Sequence, residues 1–236
     1  ALSLTDPVGP HLPEFRLADP WLTGEVRIRD LLVHRIGFEL GAGDLLFWPD
    51  GRGPREDVLA ALPHLPLGTR FRDSFTYNNL MYIVTSLLIE RVSDMSWEEH
   101  VENSVLAPLA MHDCRATSER AEGIGNRAVP HMTAGSRLTP TFFSPGEVMS
   151  GAGSMNCGVK DLARWMRFWQ ASNEHPLLEP ETREELLRPS VSLKPRSRRA
   201  EVAGTRFSAY APGWFVSDYR GQYLLEHGGT IHGSSS

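Results

Sequence analysis

Between Tyr77 and Val92 the apolar residues Leu80, Met81, Ile83, Val84, Leu87, Leu88 and Ile89 cover more of a helix than one face can present. A helix that is apolar nearly all round belongs inside a core, so this spacing predicts a buried helix over Tyr77 to Val92. Directly after it, Ser96-Trp97-Glu98-Glu99 has the form of a capping box, in which the serine and the second glutamate satisfy free amides. A second helix is therefore predicted from there to about Val105. The first quarter of the chain is rich in proline and glycine and reads as loops over a core. Its one helix is predicted at Arg27 to His34, where Ile28, Leu31 and Leu32 fall at helical spacing.

Farther along, Lys160 to Ala171 places Leu162, Trp165, Met166 and Trp169 on one helical face, and Glu181 to Leu187 is a short helix with an acidic start. Glu119 to Pro145 is polar and broken by glycine and proline, which predicts irregular structure. The pattern changes near Val202. Gly213 to Tyr219 and Gln222 to His227 are β-favouring runs separated by Arg220-Gly221, which predicts a hairpin. An isolated hairpin is marginal, so these strands need partners that the chain is not expected to hold in full. The division predicted is a mainly helical part with cleft-lining loops over 1–200 and an incomplete antiparallel sheet over 201–236.

With 236 residues, 41% of them hydrophobic, the chain can bury a substantial core. A formal net charge of −5 with both signs interspersed gives no footprint for nucleic acid. The basic cluster Lys194 to Arg199 contains a proline and reads as a solvated loop. Cys114 and Cys157 stand apart, without cysteine or histidine at ligand spacing, and imply neither a zinc site nor a disulfide framework. No apolar stretch is long enough to span a bilayer, and Ala1 to Pro7 lacks the features of a signal peptide.

Two short motifs carry candidate chemistry. In Tyr77-Asn78-Asn79, a phenol can serve as general base where cations lower its pKa, and the Asn79 carboxamide can orient a substrate amide or carbonyl. Taken alone, the tripeptide is better read as a packed aromatic followed by a helix-start residue. In His227-Gly228-Gly229-Thr230, glycines allow close backbone approach and an amide can serve an oxyanion hole, although a plain turn with a satisfied histidine has the same sequence. His232 is not at metal-pair spacing from His227. The two lysines, Lys160 and Lys194, follow Cys157 and Val191 by three positions, so there is no Ser-x-x-Lys. No Gly-x-Ser-x-Gly elbow is present either.

The order of motifs along the chain is more specific than any one of them. Ile28-Arg29-Asp30-Leu31-Leu32-Val33-His34 is followed by Tyr77-Asn78-Asn79, then by Ala107-Pro108-Leu109-Ala110-Met111. Gly151-Ala152-Gly153-Ser154-Met155 with Lys160 to Trp165 comes next, and Gly213-Trp214-Phe215 with Glu226-His227-Gly228-Gly229 closes the series. Together they resemble the serine β-lactamase and penicillin-binding-protein-like family, in the branch of class C β-lactamases, D-aminopeptidases and related esterases. Relatives commonly carry glycine where this chain has Ala110, and many carry lysine where it has His227.

The resemblance implies an α/β fold of the β-lactamase/transpeptidase kind, a helical domain plus part of an antiparallel sheet, with strands expected both before Ala1 and after Ser236. It implies serine acyl transfer on an ester, amide or β-lactam, with the Ser-x-x-Lys helix upstream of Ala1. Tyr77 would then be the general base and Asn79 a substrate-orienting group. His227 would stand at the third motif, Gly228, Gly229 and Thr230 would edge the cleft, and the Thr230 N–H would be one oxyanion donor. The implied partner is a small-molecule or peptide substrate, with no cofactor, and a periplasmic or secreted location follows by analogy. The alternative is a non-catalytic relative that keeps the cleft to bind a peptide or ligand.

Overall fold

The computed structural model describes residues 2–48, 53–144, 146–171, 175–195, 201–202 and 204–236. The N-terminal portion carries α1 (Pro20–Glu25), capped by the Asp19 side chain, then α2 (Ile28–Leu32) and α3 (Glu56–Ala61). The wide apolar surface read from the sequence becomes α4 (Leu80–Ser93), where Leu80, Met81, Ile83, Val84, Leu87 and Leu88 are all buried. These side chains form the centre of the main core with Phe15, Leu31, Phe38 and Leu62. Burying each large aliphatic one stabilises the fold by about 1.5–3 kcal/mol. The helix starts three residues later than predicted because the Asn78 side chain accepts the Leu80 N–H at 3.0 Å. That bond turns the backbone before Leu80 and leaves Tyr77 outside the helix.

The capping box forms as read: Ser96 caps α5 (Trp97–Val101), and the chain continues as a π-helical turn over Glu102–Leu106. α5 and this turn belong to a second apolar cluster, in which Trp97, Leu106, Met111 and Cys114 pack with Phe168 of α6 (Val159–Gln170). On α6 the buried residues are Asp161 and Phe168, and Trp165 and Trp169 pack beside them. Leu162 and Met166, grouped with these tryptophans in the sequence reading, are instead exposed. Asp161 anchors the helix start by accepting the N–H groups of Asp113 at 2.6 Å and Cys114 at 3.0 Å. α7 (Pro180–Leu187) follows as predicted.

Cys114 and Cys157, whose redox state their sequence surroundings leave open, form a disulfide. Two backbone hydrogen bonds between Arg115 and Asn156, of 2.8 and 2.9 Å, bring the cysteines opposite each other. That contact spans 43 residues and has no local signature.

The segment after Glu119, predicted to be irregular, contains a hairpin of β1 (His131–Ala134) and β2 (Arg137–Pro140). All eight of its residues are exposed, so it has no buried face to produce an alternating pattern. The main sheet has four antiparallel strands in the order β3 (Val191–Leu193), β4 (Ser208–Ala211), β5 (Trp214–Tyr219), β6 (Gln222–Glu226). The predicted hairpin is β5–β6, closed by Arg220 at φ 50° and Gly221 at φ 80°, a two-residue turn of the kind that matches strand twist. It pairs on one side with β4, which pairs with β3, so two of the partners that the hairpin needs lie within the chain. A short pair, β7 (Thr230–Ile231) with β8 (Ser234–Ser235), follows. Of the basic cluster, residues 196–199 lie outside the described residues. No helix among the described residues is long and apolar enough to cross a membrane.

Candidate active site

The loop that carries Tyr77 is tied to the chain that leaves α2. Gly68 and Thr69 donate their N–H groups to the Gly37 carbonyl, Arg72 to the Arg35 carbonyl, and Thr76 to the His34 carbonyl at 3.0 Å. Arg72 also makes a two-pronged ion pair with the buried Asp30 of α2, at 2.9 and 2.6 Å. Tyr77 thus sits on a braced loop between α2 and α4.

At the other side of the site, β6 ends in the glycine-rich segment. His227 lies with its ring 6.0 Å from that of Tyr77 and 5.4 Å from that of Phe215. The structure therefore brings together two residues separated by 150 positions in sequence. Past the glycines, His232 stacks on Phe142 at 4.3 Å and hydrogen-bonds Thr141 Oγ1 at 3.0 Å. His131 donates its N–H to the Gly233 carbonyl. The segment is held at both ends, by Tyr77 and Phe215 at the first and by the β1–β2 hairpin at the second.

Gly228, Gly229 and Thr230 are exposed. Gly229 and Ser236 exchange both backbone hydrogen bonds, of 3.2 and 2.9 Å. In an antiparallel ladder the next pair, Thr230 with Ser235, is then non-hydrogen-bonded, and the Thr230 N–H is directed away from β8. Asn79 contributes no side-chain cap to α4, whereas its neighbour Asn78 does, and also donates Nδ2 to the Ala42 carbonyl at 3.0 Å. Asn79 holds the N-cap position of α4 through its backbone, while the side chain that accepts a helix N–H is that of Asn78.

Beneath Tyr77 is an aromatic group to which the sequence reading assigned no role. The His34 ring lies 4.4 Å from Tyr77, 5.2 Å from Tyr82 and 4.9 Å from Tyr210. His34 Nδ1 accepts the Asn78 N–H at 3.2 Å, so the ring proton is on Nε2, which donates to the Tyr210 hydroxyl at 3.1 Å. The Tyr82 hydroxyl donates to the Leu32 carbonyl at 2.7 Å. Burial, with a smaller effect from His227, lowers the His34 pKa to about 3, so the imidazole is neutral. Burial raises both the Tyr82 and Tyr210 pKa values. It raises that of Tyr77 too, and the nearby Asp44 carboxylate acts in the same direction.

Helices packed with an antiparallel sheet, and a tyrosine loop meeting a glycine-rich strand end, define the β-lactamase/transpeptidase-like fold. A penicillin-binding protein homologue from Pyrococcus abyssi, described as octameric, shares this fold with a TM-score of 0.81 at 22% identity, covering 99% of this chain and 52% of that one. The chain belongs to the Beta-lactamase family, whose model matches residues 1–236. Protein flp of Staphylococcus aureus strain N315 is 25% identical over 241 residues, covering 100% of this chain and 44% of its own length. Unguisins hydrolase ungD of Aspergillus violaceofuscus is 28% identical over 249 residues, covering 93% of this chain and 41% of its own length. The chain thus spans less than half the length of these curated relatives.

Proposed function

We propose that these residues form half of the acyl-transfer site of a serine hydrolase acting on an ester, amide or β-lactam. The observation that carries this reading is the approach of Tyr77 to His227, in a chain of the Beta-lactamase family. The kinship with a relative named as a hydrolase supports it. A serine from a Ser-x-x-Lys outside residues 1–236 attacks the substrate carbonyl, and its proton passes to the Tyr77 oxygen. That proton then goes to the leaving group as its bond to the acyl carbon breaks, and water releases the acyl group by the reverse route. Asn79 orients the substrate, and the Thr230 N–H stabilises the developing oxyanion beside Gly228 and Gly229.

Within residues 1–236, burial and Asp44 both raise the Tyr77 pKa, so the mechanism needs a cation beside the phenol, and the lysine of that motif supplies it. The same observation favours a second reading, a cleft that binds a peptide or ligand without turnover. His227, where relatives carry lysine, makes a less fixed contact with a substrate carboxylate and favours an esterase or peptidase over an efficient β-lactamase.

One experiment separates these readings. The full-length protein and its Tyr77→Phe variant are assayed on a short-chain nitrophenyl ester and a chromogenic cephalosporin. Ester turnover is expected, falling roughly 100-fold or more in the variant. Binding without turnover supports the second reading, and a strong preference for the cephalosporin refutes the assignment to His227.

A further inference from the structure

We propose that His34 is a positioning residue that fixes Tyr77 by gripping the backbone on both sides of it. The His34 carbonyl accepts the Thr76 N–H at 3.0 Å, and His34 Nδ1 accepts the Asn78 N–H at 3.2 Å. One residue therefore binds the amides immediately before and after Tyr77, and its ring lies 4.4 Å from the phenol ring. The grip requires one tautomer. A proton on Nδ1 would face the Asn78 N–H, so the proton must remain on Nε2, where the Tyr210 hydroxyl receives it.

Tyr210 is fixed in turn. It is fully buried in β4, and its ring packs on Phe75 and Phe215. The sheet thereby sets the proton position on a histidine that holds a loop of the helical part. His34 also has a left-handed backbone, φ 55°, which is costly for most side chains and which asparagine tolerates best after glycine. The strain is sustained by the contacts on the ring and the carbonyl.

This inference rests on the reading of Tyr77 as the proton-transfer group, and its test separates the two. In the full-length protein, His34→Gln, His34→Asn, Tyr77→Phe and Tyr210→Phe are compared by kcat and KM on a nitrophenyl butyrate ester. Amide hydrogen exchange at Asn78 is followed in parallel. Asparagine places an acceptor where Nδ1 was and suits the backbone, whereas glutamine reaches only toward the Nε2 position. The expected result is a drop in kcat of roughly 10- to 100-fold in His34→Gln with KM little changed, faster exchange at Asn78, and recovery of both in His34→Asn.

Unchanged kcat and exchange in His34→Gln overturn the proposal, as does a His34→Asn variant as impaired as His34→Gln. Should Tyr77→Phe retain full activity, the role of Tyr77 falls, and the exchange data alone decide the grip. Should His34→Gln not fold, Tyr210→Phe decides. Removing the acceptor for Nε2–H is expected to speed Asn78 exchange, and an unchanged rate refutes the proposal.

Discussion

Mild acid is expected to destabilise this protein through His34. In the fold the imidazole is neutral, its pKa lowered from 6.5 to about 3 by burial and, secondarily, by His227. In the unfolded chain it titrates near 6.5. Between those values the unfolded state binds the extra proton, so stability is fully present above about pH 6.5 and is lost as the pH falls toward 3. The limiting slope is about 1.4 kcal/mol per pH unit, which integrates to about 2 kcal/mol between pH 7 and pH 5. Two other groups against the ring, Tyr82 and Tyr210, have raised pKa values and stay neutral throughout this window.

Urea denaturation followed by tryptophan fluorescence measures this directly, since the chain has six tryptophans. Carboxylates such as Asp30, paired with Arg72, weaken in acid as well, but they do so equally in wild type and His34→Asn. Wild type should lose about 2 kcal/mol more than His34→Asn between pH 7 and pH 5. Equal losses would show that His34 is not held as a buried neutral acceptor.

Three further outcomes follow from the packing. Ala110 has φ 55°, so Ala110→Gly should raise stability by about 0.5–1 kcal/mol, read from the urea midpoint. Cys114→Ala with Cys157→Ser should cost about 4 kcal/mol by loop-closure entropy over the 43-residue separation, and peptide mapping without reductant should recover the linked pair. One carboxylate oxygen of Asp161 accepts from both Asp113 and Cys114 and the other pairs with Arg164, so Asp161→Ala leaves two amides without their acceptor and removes the ion pair. A loss of about 2–3 kcal/mol is expected in the same denaturation assay.

The parts of this fold legible in sequence are those decided by near neighbours. The breadth of the apolar surface over Leu80 to Leu88 required a buried helix, Ser96 and Glu99 announced a helix start, and Arg220-Gly221 marked the turn that closes β5–β6. Tyr77 and His227 emerged together only from the order of motifs, and the sheet then placed them side by side. What stayed hidden depends on distant contacts or on exposed faces. The disulfide needs the Arg115–Asn156 pairing, and β1–β2 buries no face. His34 lies 176 positions from Tyr210 and reads as one more residue of an apolar helix end. Its position-specific signal was the motif it closes, Leu31-Leu32-Val33-His34, without a partner to give it a role.

A site built for serine acyl transfer is tested most directly by intact-mass analysis of the full-length protein after brief exposure to a fluorophosphonate, with the adduct mapped by peptide sequencing. Stoichiometric labelling of one serine three residues before a lysine is expected. That serine must lie outside residues 1–236, because Cys157 and Val191 occupy the corresponding positions before Lys160 and Lys194. Folded protein that takes up no label, or that is labelled at a serine within 1–236, would contradict the assignment.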